Sequence, residues 1–412
     1  MKIVSNLGRF PGAPEDSLIG EWVANEQKSG ARFRLIALGD IGLSGQIGVR
    51  ADETGNIDEI FHEISPVLHA ADLVIANLET PLLNDWSAEK MFAGSSRWAP
   101  ALAEAGFDIF HLASNHMLDF GPQGFSQTIK AVQDNKITIV GAGATAAEAS
   151  GLVVTEVAGL RVGWLAAGYT KVRQPARPRF WELNVGKLLS ATEQVRNQVD
   201  LLIVSLHWGA MLIDYPYLEQ YRTAHQLVDA GASAVLMHHA HILQGVEIYS
   251  QAPICYSLGN CIFDPTEGLH QKSSNFKHVK YREQVNSCVF SLMWQDKKFK
   301  CLHAAPFVLP DPLQIEKRSF RLAWPSGPES KRILTRLAQI SEDLRGDFSK
   351  KLAQQLQAHR KREISISVNL ILKHHQYWRI WYMLKQVRWK HILALMGMVV
   401  NIVKDFVSEK KR

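Results

Sequence analysis

DLLIVSLHWG at 200–209 and SAVLMHHAH at 233–241 decide the fold. Each is a short apolar run that stops at histidine. Such runs, too short for a helix and without polar alternation, predict strands buried on both faces, as parallel strands in α/β proteins are. Between the two lies PYLEQYRTAHQLVDAG, whose spacing predicts a helix that stops at Gly231. Outward from this pair the pattern recurs in FRLIALGD (33–40), DLVIANLE (72–79), FDIFHLASNH (107–116), ITIVGAG (137–143), RVGWLAAG (161–168) and ICYSLGN (254–260). A helix is predicted over GNIDEIFHEISPVLHA, ahead of the DLVIANLE run. The alternation argues for one α/β domain.

Further along, NSCVFSLMWQDKKFKCLHAAPFVL predicts two strands around a turn at Gln295–Lys298, a hairpin able to close a sheet. Residues 1–31, rich in Gly, Pro and charge, are expected to be a surface lead-in. LAWPSGPES (322–330) is the expected linker, which divides the chain into a lead-in (1–31), an α/β domain (32–325) and a basic helical C-terminal extension (326–412).

The chain carries a formal charge of +6, unevenly spread. Residues 349–412 hold 14 Lys/Arg against 3 Asp/Glu, leaving the remainder at −5. A basic tail on a mildly acidic body fits an anionic partner, whether polymer or membrane surface, and equally a solvated helix face. Trp378, Trp381 and Trp389 beside Arg379, Arg388 and Lys390 suit a membrane interface or a helix docked on protein. The run Ile392–Val403 is shorter than the roughly 18–20 residues a spanning helix needs. No sustained apolar stretch opens the chain, so the expected location is cytoplasmic, with peripheral membrane contact through the tail. Nucleic acid is not the expected partner. Cys255, Cys261, Cys288 and Cys301 lack CxxC spacing and are expected to be buried free thiols.

The chemistry lies at the ends of the apolar runs. Asp40, Glu79, Asn115 with His116, His207, and His238, His239 and His241 each close one of five strand-like segments. Carboxyl ends of parallel strands line the ligand crevice of α/β sheets, so these termini can converge. Taken singly, Asp40 reads as well as a turn cap, Asn115 as a loop stabiliser and His207 as a core histidine. Glu79 directly after LVIANL risks burial and needs a positive partner. In an extended segment His239 and His241 share a face and His238 takes the other. Two carboxylates, a carboxamide and three imidazoles suit one or two divalent transition ions, Mn, Fe or Zn, better than Ca or Mg. Metal-assisted hydrolysis is the chemistry such a set performs. The loop at Gly259 and Asn260 reads as a tight turn, His225 and Asp214 as surface residues, and Arg97 with Trp98 as a contact for an anionic substrate.

The series GD, NLETP, SNHMLDFG, SLHWG, HHAHILQGVE and YSLGN, in this order over residues 39–260, resembles the CapA (poly-γ-glutamate capsule biosynthesis) family, a branch of the calcineurin-like metallophosphoesterases. The resemblance implies a four-layer α/β/β/α sandwich. It further implies that Asp40, Glu79 and His241 hold one ion and that Glu79, Asn115, His207 and His239 hold the other. His116 is then the non-ligand histidine that protonates the leaving group or stabilises the transition state, with Asp119 orienting it. Gly42 stands where the wider superfamily places a ligand histidine, which leaves the first ion one donor short. The function implied is a metal-dependent, phosphoesterase-like hydrolase acting on an anionic substrate in capsule or exopolymer biosynthesis. A scaffold with a depleted metal site and a nucleic-acid phosphodiesterase are the alternatives.

Overall fold

A computed structural model describes residues 1–6, 9–23, 32–55, 57–170, 179–266, 281–310 and 321–373. Two sheets form its centre. The first runs in the order Lys2–Ser5, Leu18–Val23, Lys298–Val308, Asn286–Gln295, Arg32–Ile41, Leu73–Leu78, Ile109–His111 and Thr138–Val140, and Asn260–Ile262 also pairs with Arg32–Ile41. The second runs Val153–Val157, Leu160–Gly168, Leu201–His207, Ala234–His238, Ala252–Cys255 and Val246–Tyr249. In the first sheet Arg32–Ile41, Leu73–Leu78, Ile109–His111, Thr138–Val140 and Asn260–Ile262 are parallel and the rest antiparallel; in the second, four central parallel strands are flanked by an antiparallel strand on each side.

The sheets pack face to face. Phe33, Leu35, Ile75, Ile109, Phe290 and Leu292 of the first meet Val162, Trp164, Leu201, Ile203, Ala234 and Leu236 of the second in one buried cluster. The opposite face of the first sheet is covered by Gly45–Thr54, Ala99–Ala105 and Gly121–Asp134, whose Ile47, Leu102, Phe125 and Val132 join a separate core with Ile36, Val74 and Phe110. Beyond the second sheet lie Val185–Val195 and Leu218–Asp229, with Leu188, Ala224 and Leu227 buried. Helix, sheet, sheet, helix is the expected four-layer sandwich. It arises because every central strand is apolar on both faces and both faces need cover.

Three expectations are corrected. Residues 1–31 do not merely lead in: Leu18–Val23 pairs with Lys298–Val308, and Ile19 and Trp22 are buried. The short, Gly-punctuated run hides this edge pairing from a sequence reading. The boundary placed at 325/326 falls instead after Asp347, because helix Gly327–Asp343 buries Ile333 and Leu337 in the inter-sheet core. The helix over residues 55–70 is two short ones, Asp58–Phe61 and Ser65–His69, and Pro66 in the first turn of the second fits a new start rather than a continuation. The hairpin stands as expected, with Gln295 opposite Lys298 and positive φ at Asp296 and Lys297.

A second unit begins at Phe348, and within it the helix Ser349–Lys373 is described. The aromatic-basic stretch with Trp378, Trp381 and Trp389 lies outside the described residues. No helix among the described residues is long and apolar enough to cross a membrane. All four cysteines are buried free thiols, and burial pushes the Cys301 thiol up to about 11.

Candidate metal centre

The parallel strands of both sheets deliver their carboxyl ends to one place. Asp40 sits in register with Asn77 on one neighbour and with Asn260 on the other, while His207 lies beside His238 across the second sheet. Glu79 follows Leu78 directly, and Asn115 and His116 lie on the loop after Ile109–His111. Two glycines permit the close approach. A Cβ on Gly168 would collide with the Ala113 carbonyl, where the second sheet meets the Asn115 loop, and one on Gly39 would collide with the Gly259 carbonyl.

Seven of the proposed residues converge. Glu79 is fully buried, and its Oε1 is faced by His241 Nε2 at 3.6 Å, His207 Nε2 at 3.7 Å and His116 Nε2 at 4.0 Å. His207 Nε2 also lies 2.7 Å from Asn115 Oδ1 and 3.1 Å from His239 Nδ1. Asp40 closes the set from beneath. Its Oδ2 accepts the backbone N–H of His239 at 3.2 Å and lies 3.5 Å from His241 Nδ1. Two overlapping groups, Glu79–His239–His241 and Asp40–Glu79–His207, each place their donor atoms within 4.8 Å of one another and could hold a metal ion.

His239 and His241 meet there by a route other than the expected one. The strand ends at His238, and His239 (φ 89°) and His241 (φ 55°) both take the left-handed region, so a turn rather than an extended segment aims them inward. His238, expected on the opposite face, instead places Nδ1 3.3 Å from Asp40 Oδ1. Positive φ in two non-glycine residues is a costly local conformation, sustained here by the surrounding contacts.

Other supporting residues escaped the sequence reading. Asn77 donates through Nδ2 to Asp40 Oδ1 at 2.8 Å and lies 3.1 Å from His207 Nδ1, joining the two sheets behind the site. Its only signal was a carboxamide inside the apolar run LVIANL. Asn260 is not just a turn residue, since its Oδ1 lies 3.0 Å from His241 Nδ1 and its Nδ2 donates to the His241 carbonyl at 3.2 Å. Gly259, at φ 70°, makes the turn. Phe92 stacks on His116 with centroids 4.4 Å apart, while Asp119 Oδ2 lies 2.6 Å from His116 Nδ1.

The remaining candidates lie elsewhere. Arg97 pairs with Asp52 on the surface, and Trp98 is buried against Trp86. His225 is bound to Glu247 and stacked on Tyr249, and Asp214 pairs with Arg336. Neither is the bare surface residue expected.

Burial governs the electrostatics. It pushes the Asp40 carboxyl up, but His238, His241 and Asn77 outweigh it and hold the group below the ordinary carboxylate range. It drives His207 well below the usual imidazole value, reinforced by His239, His111, His238 and His241. His241 is lowered by burial against the opposing pull of Asp40 and Asn260. Imidazoles kept neutral in this way have lone pairs available for a cation.

The fold is thus an α/β/β/α sandwich of two sheets whose parallel strands end in a buried carboxylate–imidazole cluster. The model of the bacterial capsule synthesis protein PGA_cap family matches residues 34–265, more than half of the chain, and the chain belongs to that family. It is 32% identical over 256 residues to the capsule biosynthesis protein CapA of Bacillus anthracis, covering 58% of this chain and 62% of that one. To the PGA biosynthesis protein CapA of Bacillus subtilis (strain 168) it is 28% identical over 246 residues, covering 55% and 62%. The chain thus spans somewhat less than two thirds of these relatives' length. Among solved structures, a phosphatase of Mycoplasma pneumoniae is similar with a TM-score of 0.43 and 16% identity, over 71% of this chain and 99% of that one.

Proposed function

We propose that the chain is a metal-dependent, phosphoesterase-like hydrolase acting in the synthesis of a capsule or polyglutamate-type polymer. The observation that carries this reading is the fully buried Glu79 carboxylate, faced by three imidazole Nε2 atoms at 3.6–4.0 Å. That donor chemistry suits a Mn, Fe or Zn ion. Glu79, Asn115, His207, His239 and His241 would hold it, with Asp40 packed against them. A divalent ion there supplies an acidified water and neutralises charge developing on a phosphoryl group.

The chain's own residues do the rest. His116 is part-exposed at the rim with Nε2 turned toward Glu79, the place from which a proton can be given to a leaving oxygen. Asp119 fixes its Nδ1 and Phe92 fixes its ring plane. Asn77, Asn260 and the His239 N–H hold Asp40, His207 and His241 in place before anything binds. The basic residues of 349–412 supply a contact for an anionic polymer or membrane surface.

Metal analysis of the purified chain, together with hydrolysis of an aryl phosphoester, tests the reading. Bound transition metal and phosphate release that is lost in His116→Ala support it. Metal-free protein whose behaviour is unchanged by His239→Ala would leave the scaffold reading standing instead. Liposome flotation of the full chain against one ending at Arg345 tests the tail: equal flotation removes the membrane contact.

A further inference from the structure

We infer that a groove along helix Gly327–Asp343 is a binding site for a small anionic molecule, one phosphate or carboxylate head on a partly apolar body. The inference is independent of the metal-dependent reading above, because no residue of the metal centre lines the groove. Its volume is about 650 Å³, the size of a small-molecule site. One wall is the helix, and the other is Asp214 and Tyr215, on the segment that follows His207.

The helix wall is a patch of donors. Lys331 and Thr335 are about one turn apart, as are Arg332 and Arg336, and the two pairs are adjacent on the helix surface. All four residues line the groove, so two guanidinium groups, an ammonium and a hydroxyl gather within about one and a half turns. Such a set suits a phosphoryl or carboxylate group, whose oxygens accept several hydrogen bonds and match the fork of a guanidinium. Pro328, Ile340 and the Tyr215 ring line the rest of the groove. The Tyr215 hydroxyl donates to Asp343 Oδ2 at 2.6 Å, which keeps the ring in the wall. A bare inorganic ion would leave this apolar surface unused, whereas an organic body covers it.

The charges favour an anion. Three cations line the groove against one carboxylate, Asp214, which is already paired with Arg336. Arg336 also donates to the Leu243 carbonyl at 3.0 Å. Arg332 is held by Glu329 at 2.8 Å and lies 3.8 Å from Glu283, and Glu329 is shared in turn with Arg282 and Asn286. Both guanidinium groups are thus fixed before a ligand arrives, which lowers the ordering cost of binding. Lys331 is the charge these pairs leave over: it is exposed and forms no ion pair with a described residue, so its ammonium is available to close on the ligand.

The test is calorimetric titration of the full-length chain at low salt with phenylphosphonate, benzoate and phenol, repeated in EDTA. At least one of the two anions should bind saturably, equally well with and without EDTA, and phenol should not. The tighter anion identifies the head group, phosphoryl or carboxylate. Lys331→Glu should weaken that binding at least about tenfold, the loss expected for one charge-assisted hydrogen bond. Thr335→Glu, at a second exposed position of the patch, should do the same, and both variants should melt with the wild type. Lys331→Arg should bind as the wild type does. Binding that survives both charge reversals but disappears in EDTA would put the anion at the metal centre, overturning the inference and leaving the hydrolase reading intact. Phenol bound as tightly as the anions, or no saturable binding of either anion, would overturn it too.

Discussion

Replacing Asn77 with leucine removes a side chain that touches both Asp40 and His207, at nearly constant volume. Asn77 is fully buried, so its hydrogen bonds are not exchanged for water when they are lost. The bond to Asp40 Oδ1, 2.8 Å long, is to a charged group, a class worth about 1.5–3 kcal/mol. The 3.1 Å contact with His207 Nδ1 is neutral and adds about 1 kcal/mol. Leucine returns part of this through burial, so Asn77→Leu should cost about 2–3 kcal/mol by urea unfolding of metal-free protein at pH 7. Because it orients a ligand histidine and its anchor, the same change should weaken metal binding about 10–100-fold in a chelator competition titration. A variant with wild-type affinity and stability would show that Asp40 and His207 are positioned by other contacts, and the account of the site's rear wall would fail.

Glu79→Gln should weaken metal binding by more than about 100-fold, beyond what an outer partner costs, while metal-free protein keeps or gains stability because a buried carboxylate is gone. Retention of metal in that variant would refute Glu79 as the shared donor. His111, buried between Ser205 Oγ and the Ala113 carbonyl, has its ring lowered by burial from the ordinary 6.5 to about 3. The unfolded chain therefore takes up a proton below about pH 6.5 that the folded one refuses. This contribution to stability is present above that pH and is lost as pH falls toward the folded value, amounting to about 2 kcal/mol between pH 8 and pH 5. His111→Gln should flatten the pH profile of unfolding by that amount, and an unchanged slope would refute the assignment. Phe92→Ala frees the His116 ring from a stack worth about 0.5–1.5 kcal/mol, so turnover of an aryl phosphoester should fall roughly two- to tenfold with KM unchanged. A KM effect alone would place Phe92 in substrate binding.

The legible part of the fold was the set of runs buried on both faces, because FRLIALGD, DLLIVSLHWG and SAVLMHHAH leave no polar face that could remain in water. The same logic exposed the site, since a polar residue ending such a run has to be satisfied inside. What the sequence concealed depends on contacts between distant segments. The strand Leu18–Val23 lies between Lys2–Ser5 and Lys298–Val308, and the second of these pairings joins it to a segment far along the chain. Helix Gly327–Asp343 looked detached because Pro and Gly precede it, yet Ile333 and Leu337 insert between the sheets. The alternation rule failed at HHAH because the strand stops at His238, and positive φ at His239 and His241 replaces strand geometry. Asn77 was read as one more residue of a strand, and its significance appears only when His207 arrives from the second sheet.

That last contact explains why the site sits where it does. Asp40, Glu79 and Asn115 hang from the first sheet, and His207, His239 and His241 from the second, so neither sheet alone carries a complete donor set. The sheets are joined here by polar bonds: Asn77 to His207, Asn115 to His207, and the His239 N–H to Asp40. Deeper in, the interface is apolar and tolerates sliding only at the cost of packing. At the strand ends the bonds fix distance and angle, which apolar contact does poorly. The inter-sheet core therefore sets the spacing coarsely and the polar bonds set it finely, and an ion entering between Glu79 and the three imidazoles meets donors already brought together by folding.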